Sequence, residues 1–219
     1  QKMSLPWEWP TEGTGAYDAM CVIDDWAKLD DFIACIPRPE DDREFQEMLQ
    51  KVEQARADNR YILFGWWRLF FERPWELRGM ENLMVDYYVA PEQVHRLHTA
   101  LCDAYCAYIE YAANLLQPDG FWTSDDLGHQ TGPMMSPKLF RTFLLPYYQR
   151  VSAALRPHNI HFWLHSCGNN TPLLPSLIEG GVDVFHPVQK HTMDEQAVAA
   201  KFGDRLTFLA GIDVQHTLQ

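Results

Sequence analysis

The sequence predicts an α/β protein built as a parallel (β/α)8 barrel of the triosephosphate-isomerase type, incomplete in this chain, with about five or six strands present. Three observations predict it. Short apolar runs alternate with helical patterns along the chain. Those runs are too continuously apolar for a sheet with one wet face, so both faces are covered. Finally, polar residues able to bind metals, protons or substrates follow run after run, as they do at the carboxyl ends of barrel strands.

The expected strands are Tyr61–Trp66, Gly120–Ser124, His161–His165, Val182–Phe185 and Leu206–Ala210, with an earlier one at Ala19–Ile23. Between them, Pro91 opens a long helix in which Val94, Leu97, Leu101, Tyr105 and Tyr108 recur at helical spacing, ending near Leu116 before Pro118. Ser136 and Pro137 read as cap and first residue of a helix burying Leu139, Phe143 and Leu144, which Pro146 breaks in two. Thr171–Pro172 starts a short helix that Gly180–Gly181 ends, and Thr192 with Glu195 forms a capping box ahead of Gln196–Lys201. Glu40–Ala57 is amphipathic and highly charged, so mostly solvated. The domain expectation is one partial barrel over 1–219, with a helical or irregular portion at 1–60 and βα units at 61–219. A full barrel needs roughly 250 residues, so either the chain is a piece of one or the sheet is open and the strands are miscounted.

Composition narrows the function. The formal charge of −12 repels phosphate backbones, so nucleic acid is not an expected partner. No apolar run reaches the ~20 residues of a membrane helix, and the amino terminus lacks the pattern of a signal peptide. Five scattered cysteines do not form a disulfide framework; reduced thiols and a cytoplasmic location are expected. The first residue is not Met, which fits a processed or incomplete chain. The oligomeric state is open.

The candidate site residues follow the strands: Arg68 after the first run, then Asp125, Asp126 and Gln130, His165 and Cys167, His186 and Gln189, and finally Asp213 and Gln215. In His165-Ser166-Cys167-Gly168, residues two apart on an extended chain face the same side, so imidazole and thiol converge while Ser166 turns away. Gly168 permits the sharp turn that follows. His with Cys suits zinc, although two ligands do not complete a site, and packing roles for both residues remain open. Asp125 and Asp126 are catalytic candidates. Being adjacent, they point opposite ways, so only one enters the site, where it could hold a substrate N–H, act as general acid or base, or orient a His. The other reading is that one of them caps the turn leading to Gly128. His98, Cys102 and Cys106, spaced by four on the long helix, read as packing. Trp66, Trp67, Phe70 and Phe71 read as core, with Trp67 and Arg68 near the mouth.

These segments carry a family resemblance. Asp125–Pro146, His165–Asn169 (HSCGN), Leu177–Gln189 and Gly211–Gln215 resemble the uroporphyrinogen decarboxylase superfamily, which includes methyltransferases that work with corrinoid proteins. The resemblance covers roughly Arg68 to the end. It implies a barrel with its funnel at the strand carboxyl ends. The H-x-C-G segment resembles the methyltransferase branch, in which these two residues ligate zinc. It thus implies His165 and Cys167 as ligands, a further Cys beyond residue 219, and methyl transfer to a thiol from a corrinoid-bound or other donor. The decarboxylase branch is similar at Ser136-Pro137 and Phe140–Pro146, but its Arg-rich opening segment is not found here. The alternatives are cofactor-free decarboxylation of uroporphyrinogen, with Asp125 or Asp126 holding the pyrrole N–H groups, or a non-catalytic binding subunit on the same scaffold.

Overall fold

The computed structural model describes residues 22–41 and 44–211. In chain order it contains α1 (Leu29–Ala34), α2 (Glu44–Ala57), β1 (Leu63–Trp66), α3 (Glu72–Arg78), α4 (Met80–Val89), α5 (Pro91–Leu116) and β2 (Gly120–Ser124). A small hairpin, β3 (Gly128–His129) with β4 (Gly132–Pro133), precedes α6 (Pro137–Phe143), α7 (Leu145–Leu155) and β5 (His161–His165). Then come α8 (Leu174–Glu179), β6 (Val184–Val188), α9 (Glu195–Phe202) and β7 (Thr207–Ala210).

The five long strands form one parallel sheet in the order β1-β2-β5-β6-β7. Each strand is laid down beside its predecessor and the order never reverses. A doubly wound sheet reverses at a switch point; winding in one direction is what a barrel wall does. Alternation along the strands then divides the side chains. Phe64, Trp66, Phe121, Phe162, Leu164 and Phe185 are buried on one face among helix residues. On the other face stand Leu63, Trp122, Trp163, His165 and His186, in the layers set by the register Gly65–Trp122–Trp163–Val184 and Ser124–His165–His186. That second face is the concave one of a barrel, where side chains stack in layers.

Helix α5 has the expected bounds, with Pro91 in its first turn and a left-handed Gln117 closing it. Its buried stripe runs from Val94 to Leu116 and packs on α7. Ser136 caps α6 through Leu139 N–H, and the break before α7 falls at Leu144, which puts Pro146 in the first turn of α7 rather than between the helices. Phe140, absent from the expected buried face, is fully buried, whereas Leu139 is only partly so.

Several boundaries differ from the expectation. α2 begins at Glu44, after a 3-10 turn at Pro39–Asp41, and its Phe45 is buried against Phe64, Tyr108 and Tyr111, so this helix is anchored rather than merely solvated. The cap of α9 is Asp194, which accepts from Ala197 N–H at 3.0 Å; Thr192 instead donates to Gln130 Oε1. Residues 171–173 form a turn on the Asn170 carbonyl before α8 begins. β6 continues past Pro187, because His186 pairs with His165 and Val188 with Ala210. Of the strand expected at Ala19–Ile23, residues 19–21 lie outside the described residues, and Ile23 sits in a turn with its N–H on Leu77 O. Among the described residues no helix is long and apolar enough to cross a membrane.

Candidate metal centre

Register brings the site together. Ser124, His165 and His186 are neighbours across β2, β5 and β6, so the loops that follow these strands leave the sheet at one level. His165 and Cys167 face the same point, with Cys167 Sγ 3.4 Å from His165 Nε2. Ser166 turns the other way: its N–H donates to His186 O and its Oγ accepts from Leu127 N–H. Asp126 arrives from β2; its Oδ1 accepts the Cys167 N–H at 2.8 Å and lies 3.8 Å from His165 Nε2. The donor atoms of Asp126, His165 and Cys167 all fall within 4.8 Å of one another, the single such cluster among the described residues.

The surroundings orient these groups. His165 Nδ1 lies 2.8 Å from His186 Nδ1. If His165 offers the Nε2 lone pair to a metal, its Nδ1 carries the proton and donates it to His186, which fixes both tautomers. Burial pushes the pKa of each imidazole down from its usual value, opposed at His165 by Asp126 and reinforced at His186 by His165. The Cys167 thiol is pushed up to about 11 by burial, with the Asp126 and Glu72 charges adding to it, so the metal-free thiol keeps its proton. Gln189 Oε1 accepts the Gly168 N–H at 2.8 Å, and Asn170 Nδ2 donates to the carbonyls of Ser166 and Cys167.

Asp125 is turned downward. It is completely buried; its oxygens accept from the Phe70, Phe71 and Glu72 N–H groups and from Tyr148 O–H. It is the anchor of the first turn of α3, and burial still raises its pKa to about 6 against those bonds. Arg68 caps the end of β1, its N–H on Ser124 Oγ and its guanidinium on Glu76 at 2.6 Å. Gln130 stands exposed at the hairpin tip, bound to Thr192. Asp213 and Gln215 lie outside the described residues. His98 and Cys102 are buried under the helices, and the Cys102 and Cys106 sulfurs are 4.0 Å apart on the α5–α7 seam. The groove of about 740 Å³ lined by Ile33, Ile36, His95 and Thr99 includes none of the three cluster residues.

The family model described as "Uroporphyrinogen decarboxylase (URO-D)" matches residues 30–214. The chain belongs to this family. No curated protein matches the sequence. Among solved structures, a methyltransferase from Methanosarcina mazei is similar, with a TM-score of 0.64 at 18% identity over 78% of this chain. The chain spans about half of that structure, 49% of its length. At that identity the likeness concerns the fold.

Within this family member, the sequence alone did not reveal Glu72. It opens α3, a helix whose Arg73-Pro74 hides its start, and its carboxyl accepts the Ser124 Oγ hydrogen bond at 2.5 Å. Burial, then the charges of Asp126 and Asp125, push its pKa up to about 8. The folded chain therefore holds a proton that the unfolded chain releases above pH ~4.5. Stability from this group is full below that pH, declines as pH rises towards 8, and is then lost. The slope is on the order of 1.4 kcal/mol per pH unit between about pH 5 and 7. In chelator, urea titrations of Glu72→Gln should show a flatter pH dependence than the parent; parallel curves would refute the assignment.

Gly168 has φ +82°, and a Cβ there would lie 2.3 Å from the Gly128 carbonyl carbon. Gly168→Ala should strain the turn and displace the hairpin, costing roughly 1–3 kcal/mol and weakening metal uptake. Thermal melts and metal titration of that variant check this, and wild-type values in both would contradict it.

Proposed function

We propose that this chain carries the zinc-binding part of a methyltransferase that methylates a thiol. The observation that carries the reading is the convergence of Asp126, His165 and Cys167 at adjoining strand ends. Their oxygen, imidazole and sulfur donors fit a borderline-soft ion, and three protein ligands with one open position are the usual makeup of a catalytic zinc. Zinc there would supply Lewis acidity, lowering the pKa of a bound thiol so that it is presented as a thiolate.

The residues do the rest. His186 holds the His165 ring by its Nδ1 and so keeps Nε2 aimed at the ion. Gln189 and Asn170 fix the Cys167–Gly168 turn. Trp67 packs edge-on against the His165 ring at 5.3 Å. Arg68, Gln130, Asp213 and Gln215 are assigned to the substrate pocket. The methyl donor is a corrinoid held by a partner protein or another methylated compound. The described cysteines are unpaired, in keeping with a reducing, cytoplasmic setting. Decarboxylation is the weaker reading, because Asp125 directs its oxygens to backbone N–H groups and Tyr148, while Asp126 Oδ1 accepts the Cys167 N–H beside His165.

The test is zinc content by elemental analysis, together with zinc-dependent methylation of small thiols. About one zinc per chain and turnover abolished by chelator are expected. A metal-free chain that cannot be reconstituted would overturn the proposal.

A further inference from the structure

Three indoles line the concave face beside the candidate metal centre. Trp67 and Trp122 have ring centroids 6.3 Å apart at 86°, and Trp163 follows 6.3 Å from Trp122. Trp122 lies 5.4 Å from the His186 ring and Trp67 5.3 Å from His165. Trp67 is 51% exposed although it is a large apolar side chain at a strand end. Two perpendicular indoles form a corner, not a slot. A flat ligand needs parallel walls; a compact rounded group fits a corner.

The charge around the corner selects the group. Asp126 reaches the site with its side chain one-third exposed, and the Arg68 guanidinium next to Trp67 is engaged by Glu76. A zinc ion with Asp126, Cys167 and a substrate thiolate would carry a net charge of minus one. Indole faces attract cations through their quadrupole, most strongly when the cation is poorly hydrated. We propose that the Trp67–Trp122 corner binds a trimethylammonium group, which makes a quaternary ammonium compound the methyl donor at this site.

This rests on the thiol-methylation reading and names its donor class. The chemistry balances without a further reactant. The thiolate sulfur forms a bond to the methyl carbon, the carbon–nitrogen bond breaks with its electron pair staying on nitrogen, and a neutral tertiary amine leaves.

The experiment compares choline with its uncharged carbon isostere 3,3-dimethyl-1-butanol, by tryptophan fluorescence and calorimetry, on zinc-free and zinc-loaded protein. Choline is expected to bind about tenfold more tightly than the isostere. Trp67→Leu should erase that preference without changing zinc content. Equal affinities, or a preference that survives in either Trp67→Leu or Trp122→Leu, would overturn the inference. Zinc content is read separately, so a chain that binds zinc but does not discriminate sinks this inference alone. Discrimination by a chain that cannot bind zinc sinks the metal reading instead.

Discussion

Asp125→Ala is expected to lower the melting temperature by roughly 8–16 °C, or to prevent folding altogether. The carboxylate accepts three backbone N–H groups and the Tyr148 hydroxyl inside the core, with none of its own surface exposed. Alanine leaves those four donors without an acceptor in a space water does not reach. Each buried unsatisfied group costs about 1–3 kcal/mol, so a loss near 4 kcal/mol is a low figure against the ~5–15 kcal/mol that keeps a domain folded. For a chain of this size each kcal/mol moves the transition by about 2–4 °C. Tyr148→Phe removes one donor and should cost only about 1 kcal/mol. Circular dichroism melts decide the matter. An Asp125→Ala protein melting within 2 °C of the parent would show that the carboxylate is not holding α3.

Cys167→Ser should abolish zinc retention, lowering affinity by at least about 100-fold and thiol methylation by a factor on the order of a thousand. Serine keeps the shape but replaces a soft anionic ligand with a hydroxyl that ionises far less readily. Because the free thiol holds its proton well above neutrality, zinc uptake by the parent releases that proton, and affinity falls as pH is lowered. Calorimetry in buffers of different ionisation enthalpy should find about one proton fewer released by the variant. Undiminished zinc in Cys167→Ser would remove the thiol from the site and leave His165 and Asp126 as a weak pair.

Two of the three donors are legible in the sequence, because strand alternation is a short-range rule; Asp126 as the third is not, since the sequence points to a catalytic role for it and to a further Cys as ligand. The convergence of His165 and Cys167, the outward turn of Ser166 and the opposed directions of Asp125 and Asp126 all follow from two-residue periodicity. The extent of α5 was equally plain, since Pro91 and Pro118 bracket a continuous apolar stripe. What was hidden depends on distant parts of the chain. α3 and α4 are invisible because Pro74 lies within the first turn of α3 and Gly79 separates two short segments of mixed pattern. Without α3, neither Glu72 nor the task of Asp125 as its anchor can be seen. The strand expected at Val182–Phe185 falls short of β6, since a proline is disfavoured in a strand interior and only pairing with β7 carries β6 through Pro187 to Val188.

The layer formed by Ser124, His165 and His186 makes the centre a gauge of alignment. Asp126 and Cys167 are 41 residues apart, and β5 must sit in one register between β2 and β6 for their donors to meet. Sliding β5 by a single position would send Leu164 to the concave side and bury His165 under the helices. If the centre takes up zinc as proposed, a chain that holds it would already have chosen correctly among its possible strand pairings, and occupancy would count molecules whose sheet is aligned.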